Sequence, residues 1–165
     1  MPALVRLGTA DLEPLTALET RAQPLPWSED QLLLELVHDD ARVLGLLREG
    51  ALVGYIAVRK MLEEAWVLNL AVAPEERRHG LGRRLLDAAL SAAREWACTS
   101  LWLEVREGNA PARALYAGFL MSERGRRPGY YAPIPPATAR ECAVLMARDL
   151  VGPERPATAP ARLRS

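Results

Sequence analysis

Three short segments of the sequence carry residue types that could perform chemistry together. The first is RRHGLG, at positions 77–82, where basic residues precede two glycines at the start of a long helical pattern. A helix N-terminus offers unpaired N–H groups, and glycine lets an anion approach the backbone closely. The segment from Arg78 to Arg83 is therefore predicted to bind a phosphorylated ligand, largely through main-chain amides. The alternative to ligand binding, given equal weight, is a helix start whose glycines serve only close packing.

The other two segments supply candidates for an acid and a base. LWLEVR, at positions 101–106, is typical of a strand, and its alternation places Glu104 and Arg106 on one face. Partial burial of a carboxylate among apolar neighbours disfavours its charged form, so Glu104 is expected to be a stronger base. Tyr116 follows on a short helix that Asn109 is expected to cap. The alternatives are an exposed carboxylate paired with Arg106 and an ordinary core tyrosine.

An alternation of strand and helix patterns positions these segments and predicts one α/β domain over residues 1–150. Strands are predicted at 4–7, 41–48, 52–61, 65–72, 100–105 and 141–148. Helices are predicted at 11–19, from the capping box at Ser28, at 80–97 and from Asn109. This order indicates a central mixed β-sheet flanked by helices on both faces. Residues 151–165 contain three prolines and few large apolar side chains, which predicts a disordered C-terminal tail.

The composition and charge exclude several classes of protein. The chain has 165 residues, 50% of them hydrophobic and 25% charged, which is typical of a globular domain with a buried core. The formal net charge is zero, so the uniformly basic surface of a nucleic-acid-binding protein is not expected. Charge is unevenly distributed, because residues 1–76 carry 6 basic and 13 acidic side chains and residues 77–165 carry 15 and 8.

Cellular location and metal content are also constrained. No apolar run approaches the roughly 18 residues of a membrane span, and the N-terminus lacks the pattern of a secretion signal. The cysteines, Cys98 and Cys142, have no motif spacing, and the histidines, His38 and His79, have no ligand partners nearby in the sequence. The sequence therefore predicts a cytoplasmic protein with reduced thiols, no membrane partner and no metal. It leaves the oligomeric state open.

Together, the three segments resemble the GNAT family of N-acetyltransferases. The motif Arg-x-x-Gly-x-Gly at 77–82 follows a strand at 68–72 and precedes Asn109 and Leu115-Tyr116. The resemblance covers about residues 4–150, and LWLEVR is its most discriminating block. Other blocks that carry it are PWSE at 26–29, NLAVAP at 69–74, ALY at 114–116 and YY at 130–131. Within the family, the sequence is most similar to bacterial enzymes that acetylate the N-terminal alanine of a ribosomal protein.

The resemblance implies a GNAT acyl-CoA N-acyltransferase fold, with acetyl-CoA as acetyl donor and no metal. The backbone that would pair with the pantetheine arm belongs to Leu70, Ala71 and Val72. The pyrophosphate would be cradled by Arg78, His79, Gly80, Leu81, Gly82 and Arg83, and Asn109 would also contact the cofactor. Glu104 would be the general base and Tyr116 the general acid.

The acceptor implied by the resemblance is the α-amino group of a protein or peptide N-terminus, with the alanine of a small-subunit ribosomal protein as the expected case. Trp27, Tyr130 and Tyr131 would bind this substrate, and Trp27 also fits a hydrophobic staple onto the second helix. Two alternatives share the cofactor motifs: an enzyme that acetylates a small amine, such as an antibiotic or polyamine, and an inactive acyl-CoA-binding domain. RNA is not an expected partner, because Arg124, Arg126 and Arg127 come without an aromatic stacking platform.

One departure from the family pattern affects the proposed acid. The family usually has Tyr-x-x-x-Gly-Phe at the end of this helix, whereas the sequence YAGF at 116–119 is two residues shorter. If Gly118 ends the helix in a left-handed conformation, the helix loses about half a turn. The expectation is then that either Tyr116 lies at a frayed end or the strand after it starts differently, and that Tyr130 or Tyr131 could partly substitute for Tyr116.

Overall fold

The computed structural model describes residues 1–150, in which seven strands form one mixed sheet flanked by four α-helices. The strands are β1 (Ala3–Arg6), β2 (Ala41–Arg48), β3 (Ala51–Met61), β4 (Glu64–Val72), β5 (Ser100–Arg106), β6 (Ser122–Tyr131) and β7 (Glu141–Asp149). The helices are α1 (Leu12–Ala22), α2 (Glu29–Val37), α3 (Leu81–Glu95) and α4 (Ala110–Gly118). The predicted tail at 151–165 lies outside the described residues.

The sheet order is β1-β2-β3-β4-β5-β7-β6, and β4 and β5 are its parallel pair. The other neighbouring strands in this part of the chain are antiparallel. A parallel pair needs a crossover, and α3 supplies it between β4 and β5. Among residues 1–150, no helix is both long and apolar enough to cross a membrane.

The helices cover both faces of the sheet, as predicted. Alternate residues of β3 enter different cores: Ile56 packs with the apolar stripe of α3, and Tyr55 packs with Leu15 of α1 and Leu32 of α2. α3 carries its buried residues at helical spacing, so one stripe faces the sheet. The result is a central sheet with one hydrophobic core on each side.

Two predicted helix starts are confirmed by their side-chain hydrogen bonds. The Ser28 hydroxyl accepts a bond from the Gln31 N–H at 3.2 Å, and the Gln31 side chain accepts one from the Ser28 N–H at 2.8 Å. This reciprocal pair is a capping box. At α4, the Asn109 side chain accepts a bond from the Ala112 N–H at 3.2 Å. Both caps fix the direction in which a helix leaves the loop before it.

One strand, β6, is absent from the sequence prediction. Its sequence SERGRRPGYY contains a proline and two glycines and shows no apolar alternation. β6 is an edge strand that pairs with β7, and its register is irregular between Glu123 and Gly125 and between Arg127 and Tyr131. Because an edge strand with mostly exposed side chains buries little apolar surface, its sequence needs no period-two pattern.

The structure also corrects the expected turn after Tyr116. α4 continues through Gly118, and the left-handed residue is Leu120, with a φ of 63°. The Met121 N–H donates to the Tyr116 carbonyl and the Leu120 N–H donates to the Ala117 carbonyl, each at 3.0 Å, which makes a Schellman motif. Met121 is buried and anchors this helix end in the core. The prediction of a frayed end at Tyr116 is therefore wrong.

Candidate active site

A cleft of about 550 Å³ opens where the two parallel strands separate. β4 and β5 pair in register from Glu64–Ser100 to Val67–Leu103, and beyond that point both strands continue without pairing each other. A bulge at Leu68 interrupts the register of β4 against β3 at the same level. The cleft is lined on one side by residues 67–70 and on the other by residues 103–106.

Glu104 lies on the β5 side of this cleft. Its neighbours Leu103 and Val105 are buried in the core beneath the strand, so strand alternation directs Glu104 to the opposite face. The side chain is 20% exposed, and its Oε2 atom is buried. The predicted partner Arg106 instead pairs with Glu141 at 3.1 Å.

Two tyrosines line the same cleft. Tyr116, in the last turn of α4, is 7% exposed, and burial raises the pKa of its hydroxyl to about 12. Tyr131, at the end of β6, also has a raised pKa, first because of burial and then because of the negative charge of Glu104. Both phenols therefore keep their protons at neutral pH and are available as donors.

A buried carboxylate that sequence reasoning missed lies on the β4 side of the cleft. Glu19 of α1 is 1% exposed and accepts hydrogen bonds from the Tyr55 hydroxyl at 2.6 Å, the Asn69 side chain at 3.0 Å and the Trp27 N–H at 2.9 Å. Burial, followed by the charge of Glu19, raises the pKa of Tyr55. The sequence spacing did indicate a buried position for Glu19, since Glu19 follows Leu15 by four positions and shares its apolar helix face.

β4 stays paired with β3 as far as Val72, but its pairing with β5 ends at Val67, and beyond that point side chains also bond to its backbone. The Leu70 N–H donates to the Asn69 side chain at 2.9 Å, and the Leu70 carbonyl accepts a bond from Gln23 Nε2 at 3.1 Å. The Val72 carbonyl accepts a bond from Arg77 Nε at 3.3 Å. An extended ligand that offers amide donors and acceptors fits this strand edge, because it can exchange its own hydrogen bonds for these.

The helix that follows β4 begins without a side-chain cap. Gly80 precedes α3 with a φ of 80°, and the first bond within the helix runs from the Arg84 N–H to the Gly80 carbonyl at 3.1 Å. Three N–H groups are thereby left without helix partners, those of Leu81, Gly82 and Arg83. Arg78 and His79 lie exposed just before them. Such free amides at the positive end of a helix dipole fit a pyrophosphate.

α3 and α4 are in direct contact at this end of the molecule. A Cβ atom added to Gly82 would lie 3.1 Å from Leu115, so glycine at this position also permits close helix packing. The Arg83 guanidinium lies 3.5 Å from the Gly118 carbonyl, at the C-terminal end of α4. Arg83 therefore offers a ligand its main-chain N–H, while its side chain supports the helix that carries Tyr116.

The remaining predicted site residues lie in different places. Trp27 and Asn109 line the cleft, and Trp27 also packs against the core beneath α2. Ala71 is buried in that core. Tyr130 does not line the cleft; it is 44% exposed and contacts the Tyr131 ring edge-on at 5.1 Å. The structure thus brings Trp27, Asn109 and Tyr131 to the cleft and leaves Tyr130 at its rim.

The expectation that the arginines of β6 come without aromatic rings is wrong. Arg124 lies 5.9 Å from the centre of the Trp102 ring, and Arg127 lies 5.4 Å from that of Tyr130, so aromatic rings do accompany these arginines. Arginine itself covers these ring faces, and Arg124, Arg126 and Arg127 each pair with a carboxylate. The absence of an RNA partner stays a prediction. No group of three or more His, Cys, Asp or Glu side chains within residues 1–150 is placed to hold a metal ion.

Comparison with known proteins agrees with this geometry. Residues 12–119 match the model of the acetyltransferase (GNAT) family. The chain belongs to this family. As a GNAT enzyme it is an N-acetyltransferase, and members of the family use acetyl-CoA as the acetyl donor.

Curated relatives of this GNAT enzyme include two that match nearly their full length. The ribosomal protein bS18-alanine N-acetyltransferase of Escherichia coli is 35% identical over 149 residues, which are 89% of this chain and 97% of the relative. The protein of the same name from Haemophilus influenzae is 32% identical over 89% of this chain and 98% of the relative. A crystal structure of the ribosomal-protein-alanine N-acetyltransferase from Escherichia coli has a TM-score of 0.84 and 32% identity, covering 93% and 97% of the two chains.

Proposed function

We propose that this GNAT enzyme transfers the acetyl group of acetyl-CoA to the α-amino group of a protein N-terminus, with the N-terminal alanine of a small-subunit ribosomal protein as acceptor. The observation that carries the proposal is the cleft between β4 and β5, with Glu104 on one wall and Tyr116 beside it. The names of relatives at 32–35% identity support the acceptor.

The donor side of the site is built from main-chain groups. Acetyl-CoA supplies an acetyl group activated as a thioester. Its pantetheine arm is proposed to pair with the backbone of Leu70, Ala71 and Val72. Its pyrophosphate is proposed to bind at the start of α3, at Arg78, His79, Gly80, Leu81, Gly82 and Arg83. Asn109, at the cleft, is proposed to contact the same ligand.

Proton transfer is assigned to the two side chains on the cleft. An N-terminal amine has a pKa near 8, so a fraction of it is protonated at neutral pH and must lose a proton before it attacks. Glu104 is proposed to accept this proton, directly or through a water molecule. Tyr116 keeps its proton at neutral pH because burial raises its pKa to about 12, and it is proposed to donate that proton to the leaving sulfur.

The acceptor side of the cleft suits a cationic peptide end. Carboxylates of Glu19, Glu104 and Glu141 line the cleft together with Arg106. Trp27 and Tyr131 supply aromatic walls, and both are proposed to contact the acceptor, with Tyr130 at the rim. A protonated N-terminus is attracted to such a site by its charge and then lies close to the proposed base.

Release of CoA from acetyl-CoA tests this function. The acceptors are a peptide that begins Ala-Arg, the same peptide acetylated at its N-terminus, and a small polyamine. Rapid CoA release with the free peptide, and none with the blocked one, is the expected result. Release with the polyamine alone would overturn the acceptor assignment, and tight acetyl-CoA binding without release on any amine would overturn the proposed activity.

A further inference from the structure

The carboxylate of Glu104 has an unexpected ionic partner. Arg127 of β6, rather than Arg106 of the same strand, lies beside it, with Arg127 Nε 2.8 Å from Glu104 Oε2. The N–H is not aligned on this oxygen, so the contact is an ion pair without a hydrogen bond, and Oε2 is buried without any donor. A buried carboxylate oxygen in this situation depends on the nearby charge for its stability.

Arg127 reaches Glu104 from outside the cleft. Its side chain is 51% exposed and is absent from the cleft lining, whereas Glu104 is 20% exposed and lines it. The Arg127 guanidinium also lies 5.4 Å from the Tyr130 ring, and that ring contacts Tyr131 on the cleft wall. The cation therefore lies beside the carboxylate without lining the cleft itself.

We infer that Arg127 is a positioning residue for the acetyl-transfer reaction: it holds the Glu104 carboxylate on the cleft wall, where that carboxylate can accept the proton of the acceptor amine. This inference rests on the proposed role of Glu104 as the base. A guanidinium beside a carboxylate favours the charged form, which is the form that accepts a proton, so loss of Arg127 is expected to weaken activity at the acidic end of the pH range.

Other charged or titratable groups surround Glu104 and bear on this inference. They are Arg106 of its own strand, Tyr131 of β6, Tyr116 of α4, Glu141 of β7 and, across the cleft, Glu19 of α1. Arg106 is already paired with Glu141, and Glu19 is already hydrogen-bonded by three donors. Arg127 is thus the cation within residues 1–150 whose ion pair is with Glu104.

The substitution Arg127→Gln tests the inference through two pH profiles. The first is kcat/KM for the free peptide between pH 5 and 9, and the second is the carboxyl titration of Glu104, followed by NMR in the free protein and assigned with E104Q. In R127Q, both midpoints are expected to move up by about half to one pH unit, since the Arg127 side chain is half exposed and solvent weakens its effect. At the acidic end this lowers kcat/KM about three- to tenfold.

Matched variants separate charge from structure. Arg127→Lys keeps the cation and is expected to restore most of the wild-type profile. Arg124→Gln removes an arginine of the same strand that pairs with Asp149, and it should leave both midpoints in place. Midpoints in R127Q within 0.1 unit of wild type would overturn the inference, as would an equal shift in R124Q. If the NMR midpoint shifts but no amine is acetylated by the wild type, Arg127 still sets the charge of Glu104, and the proposed function fails.

Discussion

The two walls of the cleft each contain a buried carboxylate, but the two carboxylates differ in the hydrogen bonds that they accept. On the β4 side, the Glu19 carboxylate is met by three donors, from Tyr55, Asn69 and the backbone of Trp27. On the β5 side, Glu104 Oε2 is buried with no hydrogen bond and a single guanidinium beside it. Glu19 is satisfied by the protein itself, whereas neither oxygen of Glu104 accepts a hydrogen bond within residues 1–150.

This contrast separates structural from chemical use of the same residue type. A carboxylate whose donors come from three different elements fixes those elements in place, because removing it leaves buried donors unpaired. A carboxylate with an unpaired oxygen at a cleft gains hydrogen bonds when a substrate arrives. Glu19 is therefore expected to control stability and Glu104 to control turnover, and the following substitutions test that division.

The largest effect is expected from Glu104→Gln. An amide cannot accept the amine proton at neutral pH, so kcat should fall about a thousandfold, equivalent to about 4 kcal/mol in the barrier, while acetyl-CoA affinity stays near wild type. Steady-state kinetics and calorimetric titration with acetyl-CoA measure the two quantities. Glu107→Gln, at an exposed carboxylate three positions along, is the matched control. Unchanged turnover in E104Q across pH 6 to 9 would refute the role of base.

Glu19→Ala should act mainly on stability. It leaves the donors of Tyr55, Asn69 and Trp27 without their acceptor, which is expected to lower the free energy of unfolding by roughly 3 kcal/mol. Urea denaturation followed by tryptophan fluorescence measures this change. A variant that unfolds like the wild type but has lost its turnover would reverse the two assignments, because Glu19 would then be the chemical carboxylate.

A smaller effect is expected from Tyr116→Phe. A thiolate is already a good leaving group, so loss of the acid should lower kcat about tenfold, or about 1.4 kcal/mol. Because burial raises the pKa of Tyr116 to about 12, the phenol stays protonated well beyond pH 10, and the wild-type kcat should show no descending limb from it below that pH. A limb near pH 9 that disappears in Y116F would contradict this account.

The smallest effect concerns the turn that follows Tyr116. Leu120→Gly removes the strain of a leucine held in the left-handed conformation. Because glycine also makes the unfolded chain more flexible, the net stabilisation of the protein is expected to be about 0.5–1 kcal/mol. Gly118→Ala should add about 0.5–1 kcal/mol, because Gly118 is helical and has open space around its Cα. Thermal unfolding measures both changes. If G118A destabilises and L120G does not stabilise, the left-handed position lies at Gly118 after all.

Much of the fold follows from local sequence signals. Apolar patterns predicted two of the four helices and six of the seven strands of the described residues, and side-chain caps at Ser28 and Asn109 predicted the other two helices. β6 was missed because its mostly exposed side chains need no period-two apolar pattern. Ion pairs with other elements, such as that of Arg127 with Glu104, also lie outside any local window. The turn at Leu120 escaped because burial of Met121, a tertiary effect, outweighs the local preference for glycine.

The elements that carry the candidate site residues were predictable from the sequence, but the ion pairs that those residues form were not. Strand alternation placed Glu104 on the exposed face and helical spacing placed Tyr116 on α4, and the structure brings both to one cleft. The alternative in which Glu104 pairs with Arg106 is wrong, because Arg106 pairs with Glu141 of β7. Distant ion pairs of this kind depend on sheet order, which the sequence pattern does not specify.

The arginines of β6 also bear on how this protein behaves at high concentration. An outer strand exposes unpaired backbone groups that invite pairing with another copy, and charged, irregular edges suppress such association. β6 has Arg124, Arg126 and Pro128 along this edge, and its register is broken twice. The opposite edge, β1, is only four residues long. Replacing several arginines of β6 with apolar residues would therefore create a sheet edge prone to aggregation.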